Sequence, residues 1–209
     1  MIAVSYLKSK YPKKDTIKLI DESIADFIHV DLMDGIYVDN NNFTIDEVLQ
    51  DLKSTSKELD VHLMVENPEN YVKELATLNV WMITFHLNGS KNPLEMINLV
   101  KSYGIKVGIA INPFEDVHIL DEFLPLIDYV LVMSVVPGKG GQKFMMEVLS
   151  KITYLKNYKV LIGIDGGINS ETIFYLKDYA IDNIISGSFV CMSDNYNKAI
   201  ESLKKNVDN

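Results

Sequence analysis

The sequence predicts an α/β fold, a single closed (β/α)8 barrel spanning residues 1–209, and three observations carry that expectation. Short apolar runs alternate with amphipathic segments at a spacing of roughly 20 to 30 residues, as right-handed β-α-β units of a parallel sheet require. Eight such units follow one another without a linker or low-complexity segment, and the length falls at the lower end of what eight units need. Polar residues recur in the same phase at the ends of the apolar runs, where a barrel of this kind gathers its ligand site.

The first strand runs from Ile2 to Val4 and ends at Ser5; a lysine-rich stretch, Lys8 to Lys14, leads into an amphipathic helix over Thr16 to Ser23. The second strand carries His29, Asp31 and Met33 on one face and Ile28, Val30 and Leu32 on the other, because side chains alternate with a period of two. After a polar loop from Tyr37 to Asn42, Thr44 and Glu47 have the spacing of a capping box that opens the next helix. Asp60 to Met64 is the third strand, and Asn67-Pro68-Glu69 has the order of cap, first-turn proline and acid for a helix running to about Leu78. Val80 to Phe85 forms the fourth strand and ends at His86; Asn92-Pro93 opens a helix that closes at Gly104.

Ile105 to Ile111 is the fifth strand, followed by a short helix from Asn112-Pro113 through Leu120. Leu126 to Val132 is the sixth, followed by a glycine loop from Pro137 to Gly141 and a helix expected over Lys143 to Asn157. Val160 to Ile164 is the seventh and ends at Asp165-Gly166-Gly167 before a helix from Ser170 to Tyr179. Asn183 to Ser186 is the eighth, followed by Gly187-Ser188 and a last helix around Asn195 to Lys204.

Composition narrows the partners. A net charge of −9 leaves no surplus of cations to displace counterions from a nucleic acid, so no nucleic-acid partner is expected. The apolar runs are too short to cross a bilayer, and Met1 to Ser5 shows no basic region followed by a long apolar one; no membrane association and a cytoplasmic location are the expectation. The single cysteine, Cys191, can form no internal disulfide and reads as a small filler rather than a nucleophile. All 20 cations are lysines, so a phosphate-bearing ligand would be held by backbone N–H groups at glycine turns and helix starts rather than by a guanidinium fork.

Three of the four histidines, His29, His62 and His86, stand at strand ends, as do Asp31 and Asp165. Imidazole and carboxylate together suit Zn²⁺ or another first-row divalent ion, making His29, Asp31, His62 and Asp165 a candidate ligand set; the plainer alternative is a buried polar network without metal. Gly138-Lys139-Gly140-Gly141, Gly166-Gly167 and Gly187-Ser188 follow strands six, seven and eight, the place of a phosphate site in such barrels, although tight turns use glycine for conformational reasons alone.

The strings His29-Val30-Asp31-Leu32-Met33-Asp34-Gly35, Val61-His62-Leu63-Met64-Val65, Val132 to Phe144 with its Pro137-Gly138-Lys139-Gly140-Gly141-Gln142 core, and Ile164-Asp165-Gly166-Gly167-Ile168 resemble those of the ribulose-phosphate 3-epimerase family over nearly the whole chain. The resemblance implies a TIM barrel of the ribulose-phosphate-binding type that interconverts D-ribulose 5-phosphate and D-xylulose 5-phosphate in the pentose phosphate pathway. It implies Asp31 and Asp165 as catalytic acid and base, and a divalent metal on His29, Asp31, His62 and Asp165, with Zn preferred and Fe, Mn or Co as alternatives. It further implies Met33, Met64 and Met133 lining the intermediate. Substrate contacts would fall to Ser5, His62, Gly138, Lys139, Gly140, Gly141, Asp165, Gly166, Gly167, Gly187 and Ser188, and a homo-oligomer is expected. Val4, Asp39 and Asn88 depart from the family's usual proline, proline and glutamate. Two other readings stand beside this one: an epimerase for D-allulose 6-phosphate, and a non-catalytic sugar-phosphate-binding barrel. A decarboxylase of the orotidine-monophosphate type would show lysine in an Asp-x-Lys-x-x-Asp string, which Asp31-Leu32-Met33-Asp34 lacks.

Overall fold

Most strand residues of this chain are buried on both faces, the condition under which parallel strands persist. All seven residues of β2 (Phe27–Met33) and all six of β3 (Leu59–Met64) are covered. The computed structural model, which describes residues 1–207, places these two among eight parallel strands. The others are β1 (Ile2–Ser5), β4 (Val80–His86), β5 (Lys106–Ile111), β6 (Tyr129–Met133), β7 (Leu161–Asp165) and β8 (Asn183–Ile185). They pair in chain order, and β8 returns to β1 through Ile2↔Ile184 and Ala3↔Ile185, closing the barrel.

The period-two pattern divides the core. Ile28, Val30 and Leu32 point outward and pack with Ile17, Ile20, Val48 and Leu52 of the surrounding helices. A separate interior cluster, including Ala3, Phe27, Met82, Tyr129, Leu131 and Ile185, fills the barrel itself. His29, Asp31 and Met33 take the inward phase, so the second strand points its polar residues where the alternation predicts.

The helices are α1 (Lys13–Asp21), α2 (Ile45–Leu52), α3 (Glu69–Leu75), α4 (Pro93–Ser102), α5 (Leu149–Leu155), α6 (Ser188–Cys191) and α7 (Tyr196–Val207). The capping box of α2 is present: Thr44 Oγ1 accepts from the Glu47 N–H, and Glu47 Oε2 accepts from the Thr44 N–H at 2.9 Å, a pair worth about 1 kcal/mol. Asn92 caps α4 with Pro93 in its first turn, and Gly104 beyond it has a φ of +74°.

Four expectations are corrected. Asn67 is not a side-chain cap: its φ of +51° and its N–H bond to the Gly89 carbonyl (2.9 Å) hold it in a left-handed turn, Pro68 takes the cap position, and α3 ends at Leu75 rather than Leu78. The segment from Lys143 is not helical at its start, because the Met145 N–H bonds the Ser134 carbonyl (2.9 Å) and draws residues 142–145 across the barrel mouth; a 3₁₀ turn (Met146–Val148) then leads into α5. The helices expected after β5 and β7 are 3₁₀ turns, Val117–Leu120 and Thr172–Leu176. β6 begins at Tyr129, three residues after Leu126, because Leu126 closes a turn on the Phe123 carbonyl and Asp128 bridges Val107 and Leu161. Among the described residues, no helix is long and apolar enough to cross a membrane.

Candidate active site

The register of β2 on β3 sets Asp31 beside His62, and the alternation along β2 puts His29 on the same inward face. Asp31 Oδ1 consequently lies 3.3 Å from His29 Nε2 and 3.3 Å from His62 Nδ1. Asp165 enters from the end of β7. Ser134, just after β6, fixes that end by donating its hydroxyl to the carbonyls of Asp165 (2.8 Å) and Gly166 (2.7 Å). One ligand atom from each of His29, Asp31, His62 and Asp165 lies within 4.8 Å of all the others. His29 Nε2 and His62 Nδ1 are buried with no hydrogen-bond partner among the described residues, since their approach to Asp31 is poorly aligned. Unpartnered buried imidazole nitrogens are costly, and here two of them converge with two carboxylates, which is the donor set of a divalent cation. The four residues therefore form a group able to hold a metal ion.

The electrostatics drive the two carboxyl groups apart. Burial favours a neutral Asp31, but the charge of His29, reinforced by the nearby His62, outweighs it and holds Asp31 well below the usual carboxylate range. Burial and the nearby negative charge of Asp31 push Asp165 up to about 7. Burial opposes a charge on His29, yet Asp31 and Asp60 more than compensate and raise it, whereas burial keeps His62 below its ordinary value. His62 turns its other nitrogen, Nε2, to His86 Nε2 at 2.9 Å, and burial with His62 beside it lowers His86 strongly.

Above this group opens a cavity lined by the loops that follow β1, β6, β7 and β8. Ser5, Asp31, Asp165, Met33, Met64 and Met133 form one end, and Ser5 donates its hydroxyl to Asp31 Oδ2 at 2.6 Å. Gly138, Lys139, Gly140, Gly141, Gly166, Gly167, Gly187 and Ser188 border the other end. His29 and His62 do not border the cavity; both are completely buried beneath it. The glycine loop is braced by the Gln142 side-chain amide, which donates to the carbonyls of Val136 (2.6 Å) and Lys139 (2.9 Å), and by Asn40, which donates to the Gly138 carbonyl (2.9 Å). Gly167 is required twice over: its φ is +65°, and a Cβ there would lie 2.6 Å from the Phe144 nitrogen. The helix starts expected beside these turns are absent after β6 and β7, so the N–H groups on that side come from turn backbone.

The profile of the Ribulose-phosphate 3 epimerase family matches residues 1–191. The chain belongs to that family. Ribulose-phosphate 3-epimerase of Helicobacter pylori is 41% identical over 190 residues, 87% of each chain, and that of Buchnera aphidicola is 38% identical over 198 residues, 90% of this chain and 86% of the other. Solved structures share the architecture at much lower identity. KGPDC from Streptococcus mutans superposes with a TM-score of 0.73 at 13% identity, covering 99% of this chain and 96% of that one. N-(5'-phosphoribosyl)anthranilate isomerase from Pyrococcus furiosus gives 0.66 at 16%, covering 100% and 98%.

Against the family's pattern, two features of this chain's site escape a reading by strand ends. Asn88, where the family usually has glutamate, donates to Glu115 Oε1 (3.1 Å), so a carboxylate from the loop after β5 is held beside the end of β4. Lys8 lines the cavity beside Gly140 and Gly141, although the run Lys8 to Lys14 reads only as the connection from the first strand to the first helix. The available signal was position: Lys8 leaves the same strand end as Ser5.

Proposed function

We propose that this chain epimerises D-ribulose 5-phosphate and D-xylulose 5-phosphate at C3, with Asp31 and Asp165 as the acid/base pair. The observation that carries the reading is two carboxyl groups bordering one cavity with opposite protonation preferences. Inversion next to a ketone removes the C3 proton from one face and returns a proton to the other. In one direction the ionised Asp31 accepts the C3 proton and the C–H electron pair moves into the C2–C3 bond and on to the ketone oxygen; the carbonyl then re-forms and the C2–C3 pair takes the proton of Asp165 at C3 from the opposite side. The reverse reaction exchanges the two roles.

A divalent cation on His29, Asp31, His62 and Asp165 would supply Lewis-acid stabilisation of the charge that develops on the substrate oxygens. Zn²⁺ suits this donor set first, with Fe²⁺, Mn²⁺ and Co²⁺ as alternatives. Met33, Met64 and Met133 would line the reacting carbons and exclude water. The phosphate would lie against Gly138 to Gly141, Gly166, Gly167, Gly187 and Ser188, with Lys8 and Lys139 as bordering cations. The proposal extends to a homo-oligomer in a cytoplasmic setting.

The test is turnover of D-ribulose 5-phosphate and D-allulose 6-phosphate side by side by zinc-loaded protein and by Asp31→Asn and Asp165→Asn variants. Preferred turnover of the pentulose, lost by on the order of 10³-fold in each variant while the fold survives, is the expected result. Preferred hexulose turnover, sugar-phosphate binding without turnover, or near-normal activity in Asp165→Asn would each overturn it.

A further inference from the structure

Beneath the cavity, His29 is held from behind. Its Nδ1 lies 2.9 Å from Asp60 Oδ2, and Asn183 Nδ2 donates to the same oxygen at 3.0 Å. The Asn183 amide also donates to the Tyr129 hydroxyl at 3.3 Å. Asp60, Asn183 and Tyr129 come from β3, β8 and β6, so the chain of contacts crosses the barrel interior, and none of its members is more than 1% exposed. The neighbouring strand makes room for it: a Cβ at Gly163 of β7 would overlap the Tyr129 hydroxyl. Nothing in the proton transfers above uses these groups, and charged or amide side chains are not ordinary barrel filling.

We propose that Asp60 is a positioning residue for cation binding: it takes the Nδ1 proton of His29, is itself braced by Asn183 and Tyr129, and so turns the Nε2 lone pair of His29 towards Asp31 and Asp165. The inference rests on the reading of His29 as a metal ligand. Asp60 Oδ2 already accepts the Asn183 amide, so it stands as the acceptor towards His29 as well and the proton of this contact belongs to His29 Nδ1. Nε2 is then the nitrogen left to coordinate, and it is the one that is buried and unpartnered 3.3 Å from Asp31 Oδ1. Both donors converge on Asp60 Oδ2 while Oδ1 has no partner among the described residues, which fixes the carboxylate plane from one side. The second imidazole is treated differently, since His62 Nε2 meets the imidazole of His86 instead of a carboxylate. A carboxylate partner strengthens an imidazole as a ligand and locks its ring, so the two histidines are unequal donors, with His29 the stronger.

Zinc affinity of the full chain, read by competition with a chromophoric chelator, tests this in wild type, Asp60→Asn, His29→Gln and the double variant. Asp60→Asn keeps the shape and removes the charge; it is expected to weaken zinc binding about 10- to 100-fold, with little further loss when added to His29→Gln. A change below about twofold, or losses that add in the double variant, would overturn the proposal. Should Asp60→Asn not fold, the wild type decides: nitrogen-resolved imidazole spectra of zinc-loaded protein are expected to show the proton of His29 on Nδ1 and the metal on Nε2, and the reverse arrangement would refute the assignment. The outcomes separate from those for the activity. Protein that binds zinc through His29 and Asp60 but never epimerises defeats the proposed function alone, whereas an active epimerase whose Asp60→Asn variant binds zinc normally defeats this inference alone.

Discussion

Asp31 and Asp165 are the same side chain driven in opposite directions, and Asp165 carries a consequence for stability. Without a bound cation its folded-state value of about 7 lies above the unfolded value of about 3.9, so the folded chain holds a proton that the unfolded chain releases. The group's contribution to stability is full below the unfolded value and is lost as pH rises through 7. Asp165→Asn removes that loss. Chemical denaturation of chelator-treated protein should show the variant gaining on wild type between about pH 4 and pH 7 and holding a constant lead above, on the order of 1–3 kcal/mol after discounting for the partial exposure of Asp165. A variant less stable than wild type at pH 8 would mean that the carboxylate has a stabilising partner. At Lys8, where the charge borders the glycine turns, Lys8→Met should raise KM several-fold with little change in kcat, and the deficit should shrink at high salt. Strand-end residues such as His29, Asp31 and His62 were legible because alternation fixes their face. Asp60, Asn183 and Lys8 were not: the first two acquire meaning only from partners on distant strands, and the third from the fold of its loop.

At the level of elements, the eight strands were legible because each centres on a short apolar run, and their ends fell within three residues of those expected. The helices after β5, β6 and β7 were less so. Amphipathic spacing in residues 143–148 and 172–176 satisfies a helix locally, but the barrel mouth recruits the first segment as an extended strap bonded to Ser134 and leaves the second only a 3₁₀ turn. Gly167 is the joint on which that strap rests. Gly167→Ala would force a left-handed φ on alanine and set its methyl 2.6 Å from the Phe144 nitrogen and 2.9 Å from the Gln142 carbonyl oxygen, so residues 142–145 must move. The expected cost is about 2–4 kcal/mol by urea denaturation, with a raised KM because Gln142 braces the glycine loop. Unchanged stability would show that the strap yields freely.

For the molecule as a whole, the four candidate ligands matter because they come from three strands, β2, β3 and β7, that do not all neighbour one another. A cation held by all four would tie the two sides of the barrel together and occupy the one nitrogen of His29 and the one of His62 that are buried without a partner. Ligand binding to the folded state alone stabilises it by RT ln(1 + [L]/Kd), about 2.7 kcal/mol at a hundredfold excess over Kd. For a chain of this size each kcal/mol moves Tm by about 2–4 °C, so zinc-loaded protein should melt about 5–10 °C above chelator-treated protein at pH 7.5. The increment should fall sharply in His29→Gln, which removes one ligand, and survive in Lys8→Met, which touches only the cavity rim. Equal melting with and without zinc would mean that β2, β3 and β7 close without a shared ion, leaving the polar group under the cavity as a structural network.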